Sequence, residues 1–206
     1  GDTVEFILDD SKKQKRGKVM EAVSWIHDPL TGKSIRGHQF VTATLRFRGH
    51  SIPFGIRIYI KKEDCCSLGR DFKKTTQLAA ELISEFQPPQ GVNVRVLFDS
   101  YYLCPVVVKA CRKKGFRFVS VLKNNRNLFK NGRKLKTAAY GKSMFRNHKK
   151  TTFCIRKSNG NVKYTCVDAG WIDVSKIGKL HVVFSRKKAD PKILGLVTDD
   201  PKLSAC

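Results

Sequence analysis

Short apolar runs separated by turn residues make up most of the pattern along this chain. Runs rich in β-branched and aromatic residues predict strands at Val4–Leu8, Phe40–Phe47, Ile52–Ile60, Asn93–Phe98 and Phe116–Leu122. The second and third runs are separated by only a few residues that include a glycine, which is typical of an antiparallel hairpin. The first run ends at a pair of aspartates, so we expect its strand to end there.

Apolar residues at helical spacing predict two helices. The first spans residues 71–86 and ends before Pro88; its apolar stripe consists of Phe72, Ala79, Leu82, Ile83 and Phe86. The second spans residues 102–114 and ends at Gly115; we expect it to bury Leu103, Val106, Val107 and Ala110.

The pattern changes after residue 123. Asn-Gly pairs separate short β-type runs as far as residue 188, which predicts a β-rich insertion with hairpins. A further strand is predicted at Ile193–Val197. The fold class is therefore α/β, with helices packed on a sheet. We assign residues 1–123 and 189–206 to the core and residues 124–188 to a basic insertion.

The charge of the chain is strongly unbalanced. It holds 41 Lys and Arg against 17 Asp and Glu, a net charge of +24. No acidic residue lies between Asp99 and Asp168, whereas 18 Lys and Arg do. Because such a segment cannot neutralise itself, we expect an external polyanion. Nucleic acid is favoured over a membrane surface, since no basic amphipathic helix with a broad apolar face is evident.

Cysteine usage and hydropathy exclude several other classes. The seven cysteines are odd in number and form no Cys-x-x-Cys pair, which indicates reduced thiols and a cytoplasmic protein. A zinc site at Cys154, Cys166 and His148 is a weaker alternative, because the spacing fits no zinc pattern. No apolar run approaches the ~20 residues that span a bilayer. We expect the chain to be a fragment of a longer protein.

Two segments end an apolar run in aspartate followed by serine, at Ile7–Ser11 and Val96–Ser100. Carboxylates at the ends of neighbouring strands can converge and bind divalent cations, and Mg²⁺ prefers carboxylate, water and phosphate oxygens. Two such ions can catalyse phosphoryl transfer. Aligning Leu8 with Leu97 puts Asp10 opposite Asp99, although Asp9 stays open as the first acid. Strand-terminal Asp-Ser is also common in caps and turns.

Several motifs together resemble one enzyme family. The first is the string Asp9–Ser11 with the basic, glycine-containing segment that follows it. The others are the segments Gly37–Gln39, Arg57–Tyr59, Phe72–Thr75 and Val96–Tyr102. They resemble the catalytic domain of DDE transposases from bacterial and archaeal insertion sequences. The resemblance implies a ribonuclease-H-like mixed sheet, with the β-rich insertion after the second acid. It also implies Mg²⁺-dependent DNA cleavage and strand transfer, with Mn²⁺ as a substitute. A homodimer assembled on DNA and a nucleoid-associated location are further expectations.

Carried over by position, Asp10 and Asp99 match the family's two metal-binding aspartates. The residues expected to contact DNA are Lys12, Lys13, Lys15, Arg16, Lys18, Lys123, Arg126, Arg133 and Lys134. The family's third acid is a glutamate, but no glutamate follows Glu85, so we expect it beyond Cys206, with Asp200 a weaker substitute. This fragment is then predicted to be inactive. The rival hypothesis is a non-catalytic nucleic-acid-binding module or a domesticated transposase remnant.

Overall fold

The structure is a computed structural model that describes residues 2–17, 20–28, 31–158, 160–188, 190 and 192–203. The fold is α/β, with mostly strands and few helices, and parallel and antiparallel pairs both occur. The chain divides into two compact units. The first comprises residues 1–97 and 109–116, and the second comprises residues 98–108 and 117–206.

The first unit is built on five strands. They are β1 (Thr3–Gln14), β2 (Ser24–Asp28), β3 (Lys33–Phe47), β4 (His50–Tyr59) and β5 (Asn93–Phe98). Strand β3 pairs antiparallel with β1, β2 and β4, and β1 also pairs in parallel with β5. The predicted hairpin of β3 and β4 is confirmed, and so is the predicted strand at β5. The spatial order β4–β3–β1–β5 places β1 at the centre of the unit.

Strand β1 is longer than the sequence pattern predicts. Every residue from Glu5 to Gln14 has a partner on β3, so the prediction that the strand ends at the aspartates is wrong. Gly37 permits this long pairing, because a Cβ at that position would lie 2.2 Å from the carbonyl oxygen of Lys13. Asp9 and Asp10 are consequently in the middle of a strand, and the residues before and after them also pair with β3.

Two helices of the first unit are α1 (Lys62–Cys65) and α2 (Thr75–Glu85). The predicted helix over 71–86 is confirmed as α2, but it starts four residues later. Lys74 has an extended backbone, and its N–H donates to Oε1 of Gln77 at 2.8 Å, which fixes the first turn. Leu78, Ala79, Leu82 and Ile83 face the core, and α2 packs on β3 and β4.

The core of the first unit is aromatic as well as aliphatic. The rings of Phe6, Phe54 and Phe86 lie 5.2–5.4 Å apart in edge-on and tilted pairs, and Phe116 lies 6.0 Å from Phe86. Phe6 is fully buried. Each buried aromatic side chain contributes roughly 1.5–3 kcal/mol relative to exposure. This core fixes the N-terminal half of β1, which leads directly into the aspartate pair.

Helix α3 (Pro105–Lys113) corresponds to the second predicted helix. It starts with proline in its first position and ends before Gly115, whose φ is +71°. Val107, Val108 and Cys111 are buried, but Val106 is 46% exposed, so its predicted burial is wrong. At 100° per residue, consecutive valines cannot all face one side of a helix.

The second unit contains seven strands. They are β6 (Arg117–Leu122), β7 (Asn127–Lys130), β8 (Arg133–Lys136), β9 (Thr151–Lys157), β10 (Gly160–Val174), β11 (Gly178–Lys187) and β12 (Ile193–Thr198). Their order is β6–β12–β11–β10–β7–β8, with β9 also paired to β10. The predicted hairpin at Asn131-Gly132 joins β7 to β8. Strand β12 pairs with both β6 and β11, so strands of the assigned core and insertion share one sheet.

The segment assigned as a β-rich insertion also contains a helix, α4 (Thr137–Asn147), which the sequence pattern did not predict. Its buried residues Thr137, Gly141, Met144 and Phe145 follow helical spacing. Gly141 allows close packing, because a Cβ there would lie 2.9 Å from the ring of Phe184 on β11. Helix α4 packs against β8, β10, β11 and β12.

Candidate functional site

Asp10 projects from the middle of β1 on the face that packs into the core. Phe6 and Leu8 precede it on that face, because side chains alternate along a strand, and both are buried. Asp10 is half-buried, at the position where the strand leaves the core. The amide Nε2 of Gln39 donates to its Oδ2 at 3.2 Å. Gln39 thereby orients the carboxylate, a role that we did not predict, although the segment Gly37–Gln39 was singled out by resemblance.

Asp9 points to the opposite face of β1. Its side chain is exposed, and its Oδ1 accepts the backbone N–H of Asp10 at 2.9 Å. Its main-chain oxygen accepts a hydrogen bond from the Oγ1 of Thr42 at 3.2 Å. The two neighbouring aspartates therefore differ in environment: Asp10 continues the buried face of the strand, whereas Asp9 faces solvent.

The register of the parallel strands β1 and β5 differs from the one obtained by aligning the two Asp-Ser motifs. That alignment paired Leu8 with Leu97, and it is wrong by one residue, because Ile7 is the partner of Leu97. The register argument that favoured Asp10 over Asp9 therefore fails. The choice of Asp10 over Asp9 therefore stays a prediction.

Asp99 directly follows β5 and has an exposed side chain. Its Oδ1 accepts the backbone N–H groups of Tyr101, at 2.8 Å, and Tyr102, at 3.3 Å, which is the turn-forming role weighed in the sequence analysis. Its main-chain oxygen accepts the hydroxyl of Ser120 at 3.1 Å. Within the part of the chain that the structure describes, Oδ2 accepts no hydrogen bond. The bonds to Oδ1 thus fix the orientation of the carboxylate.

Residues 1–153 match a family described as DDE superfamily endonuclease. The match covers both aspartates and about three quarters of the 206 residues. The chain belongs to this family. The resemblance drawn from the motifs is thereby confirmed as a DDE-type, transposase-like domain. No curated protein matches the chain. Membership implies nuclease or transposase chemistry with DNA as the substrate.

Divalent metal ions are typical of this superfamily. Asp10 and Asp99 each present a carboxylate that is oriented by a hydrogen bond, and carboxylate oxygens are ligands that Mg²⁺ prefers. Among the residues that the structure describes, no group of three or more His, Cys, Asp or Glu side chains forms a ready cluster. Mg²⁺ commonly completes its coordination with water and phosphate oxygens.

The basic residues after the aspartates continue β1 of the DDE domain. Lys12 is half-buried on the face of Asp10, and Lys13 is exposed on the other. Lys15 donates its backbone N–H to the carbonyl of Arg36 at 2.9 Å, and Arg16 is exposed. The predicted contact Lys18 lies outside the described residues. That Lys12, Lys13, Lys15 and Arg16 contact DNA stays a prediction.

The predicted DNA contacts of the second unit fall into two groups. Lys123, Arg133 and Lys134 are exposed, and the ammonium of Lys123 lies 5.7 Å from the ring centroid of Tyr101. Arg126 is half-buried, and its guanidinium donates to the carbonyls of Leu103 at 2.8 Å and Ser175 at 3.2 Å. Burial lowers the pKa of Arg126 from its ordinary value, although arginine keeps its charge. These bonds give Arg126 a structural role in the DDE domain.

The two aspartates near the end of β12 are buried and hydrogen-bonded. Oδ1 of Asp199 accepts the backbone N–H of Phe118 at 2.9 Å, and Oδ1 of Asp200 accepts that of Lys202 at 3.0 Å. Such bonds are typical of structural carboxylates at the end of a strand.

No helix of the described residues is long and apolar enough to cross a membrane.

Proposed function

We propose that this chain is the catalytic core of a DNA transposase, which cleaves and transfers the strands of an insertion sequence. The observation that carries the proposal is the DDE-family match over residues 1–153, which includes Asp10 on β1 and Asp99 directly after β5. The net charge of +24 supports a polyanionic substrate. We also propose a ribonuclease-H-like fold. The order β4–β3–β1–β5, with α2 before a parallel β5, supports it.

In the proposed reaction, the oxygen of a water molecule attacks the phosphorus of a phosphodiester at a transposon end. The new P–O bond replaces the bond to the 3′ oxygen, which leaves with a proton as a free 3′ hydroxyl. That hydroxyl then attacks a phosphodiester of the target DNA and displaces another 3′ oxygen. Each step exchanges one P–O bond for another, so neither requires an oxidant or a reductant.

Asp10 and Asp99 are the proposed catalytic acids and metal ligands. When bound there, Mg²⁺ or Mn²⁺ would activate the attacking oxygen and stabilise the leaving one. Gln39 limits the rotation of the Asp10 carboxylate, and the backbone N–H groups that follow Asp99 limit the rotation of the Asp99 carboxylate. Ordered carboxylates lose less entropy on binding a cation. We also propose that Lys12, Lys13, Lys15, Arg16 and Lys18 contact phosphates of the DNA.

The test is cleavage of labelled transposon-end DNA by the full protein with Mg²⁺. We expect Asp10→Asn and Asp99→Asn each to reduce nicking by at least 10²-fold, because each removes a charge that binds the metal. Asp9→Asn is the matched control, since its side chain faces away from Asp10; it should retain nicking within about threefold. Chelation with EDTA should abolish the activity, and added Mg²⁺ should restore it.

Wild-type nicking by either the Asp10 or the Asp99 variant would overturn the proposal. Loss of nicking in Asp9→Asn with retention in Asp10→Asn would transfer the role to the neighbouring acid. Circular dichroism of each variant separates loss of chemistry from loss of folding.

A binding module without catalysis is the second candidate. The turn around Asp99 favours it, because that carboxylate already has a structural role. It predicts salt-sensitive DNA binding that is unaffected by EDTA and by both Asn substitutions, with no nicking under any condition.

A further inference from the structure

A cationic cavity lies in the second unit between the β7–β8 hairpin and α4. It has a volume of about 610 Å³. Its polar lining comes from Lys130, Asn131 and Arg133 on the hairpin, Tyr140 and Ser143 on α4, and His148 just beyond the helix. None of the lining side chains in the described structure is acidic. The cavity therefore combines two fixed positive charges with hydroxyl and imidazole groups.

The hairpin pairing brings the two strong cations together. Lys130 and Arg133 are direct partners across β7 and β8, so their side chains project from the same face. Like charges directly opposite each other are unfavourable in a sheet. No carboxylate relieves them within the cavity, and the surrounding segment 123–150 has ten Lys and Arg and no Asp or Glu. This arrangement is stabilised when an anion occupies the space between them.

Lys130 is held in position for such an anion. Its ammonium donates to the hydroxyl of Tyr140 at 2.8 Å and to the carbonyl of Ala169 at 3.2 Å. The ring of Tyr140 in turn packs edge-on against the buried Phe184, with 5.8 Å between ring centroids. An ammonium has three N–H donors, so one remains after these two bonds. Because Lys130 is already ordered, it loses little side-chain entropy on binding.

Arg133 and Ser143 supply the complementary donors. The Arg133 side chain is exposed, and a guanidinium can bind two phosphate oxygens with parallel hydrogen bonds. The hydroxyl of Ser143 and the ring of His148 line the cavity on the helix side. Two cations with surrounding N–H and O–H donors are the chemistry that recognises a phosphate group.

We propose that this cavity binds a backbone phosphate of nucleic acid. The inference rests on the proposed function only for the identity of the ligand as DNA. The proposed site contributes to DNA binding, and its residues are separate from the two aspartates. It also distinguishes two cations that sequence reasoning treated alike, because Arg133 lines the cavity and Lys134 does not.

Lys179 provides a matched control in the same unit, outside the residues expected to contact DNA. It pairs with the exposed Asp173 across β10 and β11, and its own side chain is exposed. Its charge therefore has an acidic side chain directly opposite, and it does not line the cavity. Arg133→Ala and Lys179→Ala each remove one exposed cation, so their change in total charge is identical.

The test measures binding of a fluorescent DNA duplex to the full chain at several salt concentrations, by anisotropy in EDTA to prevent cleavage. Each phosphate contact contributes about 0.9 to the slope of log affinity against log salt. We expect Arg133→Ala to reduce the magnitude of the slope by about 1. Lys179→Ala should leave the slope within about 0.3 of the wild-type value.

Tyr140→Phe is the second variant. It retains the ring that packs on Phe184 and removes only the hydroxyl that orients Lys130, so the unit should fold. We expect a two- to tenfold weaker affinity at constant salt, since the ammonium then loses one of its fixed partners.

Equal losses of slope in Arg133→Ala and Lys179→Ala, or no loss in either, would overturn the phosphate site. This outcome is separable from failure of the proposed enzyme. Nicking that depends on Asp10, together with equal slopes, would overturn only the cavity. An Arg133-specific slope in a protein that never nicks DNA would overturn only the enzyme.

Discussion

Gly37 is the residue on which the extension of β1 past the aspartates depends. It lies opposite Gln14, and the backbone of Lys13 passes so close that a side chain has no space. Glycine is used here for close approach of two strands, since its own φ is not in the left-handed region. The β1–β3 pairing beyond Asp10, and with it the position of Lys12 and Lys13, follows from this contact.

We predict that Gly37→Ala destabilises the protein by about 1–3 kcal/mol, the usual cost of inserting a methyl group into a packed position. The added Cβ would lie 2.2 Å from a backbone oxygen, so a strand must move. Urea unfolding measures the effect as a lower midpoint with an unchanged m-value.

Ser34→Ala, at an exposed position of the same strand, is the control and should change stability by less than about 0.5 kcal/mol. Equal midpoints for Gly37→Ala and the wild type would show that β1 and β3 can separate without cost at this point. The contact would then have no part in positioning the basic end of β1.

The two aspartates show how far single residues could be predicted. The sequence identified Asp10 and Asp99 from apolar runs that end in Asp-Ser, and the family match covers both. Their environments were not predictable. Asp10 is a mid-strand residue because β3 continues alongside it, and the strand register differs by one residue from the alignment of the two motifs. Both depend on pairing between distant segments, which a local pattern does not contain.

At the scale of elements, local signals decided which predictions succeeded. Strand β5 was predicted with its observed bounds, because alternating Val94, Val96 and Phe98 stand between turn residues. Helix α2 was predicted too early at its start, since Phe72 continues the apolar stripe although the backbone turns helical only at Thr75. Helix α4 was missed, because its buried stripe includes Gly141 and Thr137, whose apolar signal is weak; packing against Phe184 makes it helical.

The junction of β6 and β12 supplies an element-scale prediction. Oδ1 of buried Asp199 accepts the backbone N–H of Phe118, so truncation leaves a buried donor unsatisfied. We expect Asp199→Ala to lower the free energy of unfolding by about 1–3 kcal/mol. Asp173→Ala removes an exposed carboxylate from the same unit and should cost less than about 0.5 kcal/mol. Urea denaturation compares the two variants, and equal stabilities would mean that Asp199 does not hold the strand ends together.

The distribution of charge governs the behaviour of the whole molecule. Of the net +24, a surplus of 18 comes from the 68 residues between Asp99 and Asp168. The second unit uses part of this charge internally, as Arg126 shows through its bonds to the backbone carbonyls of Leu103 and Ser175. The exposed remainder has few carboxylates to neutralise it. Composition predicted a polyanion, whereas only the fold distinguishes structural cations from those available to a ligand.

This separation leads to a prediction for the intact chain. If it makes six to ten phosphate contacts, its affinity for duplex DNA should fall by about 10³–10⁵ between 50 and 200 mM salt. Binding to phosphatidylserine vesicles should be weaker at equal phosphate concentration, because α2 and α4 bury their apolar stripes and have none left for a bilayer. Anisotropy with labelled DNA and vesicle co-sedimentation measure the two. Preferential retention on vesicles in the presence of excess duplex would contradict nucleic acid as the partner of this surface.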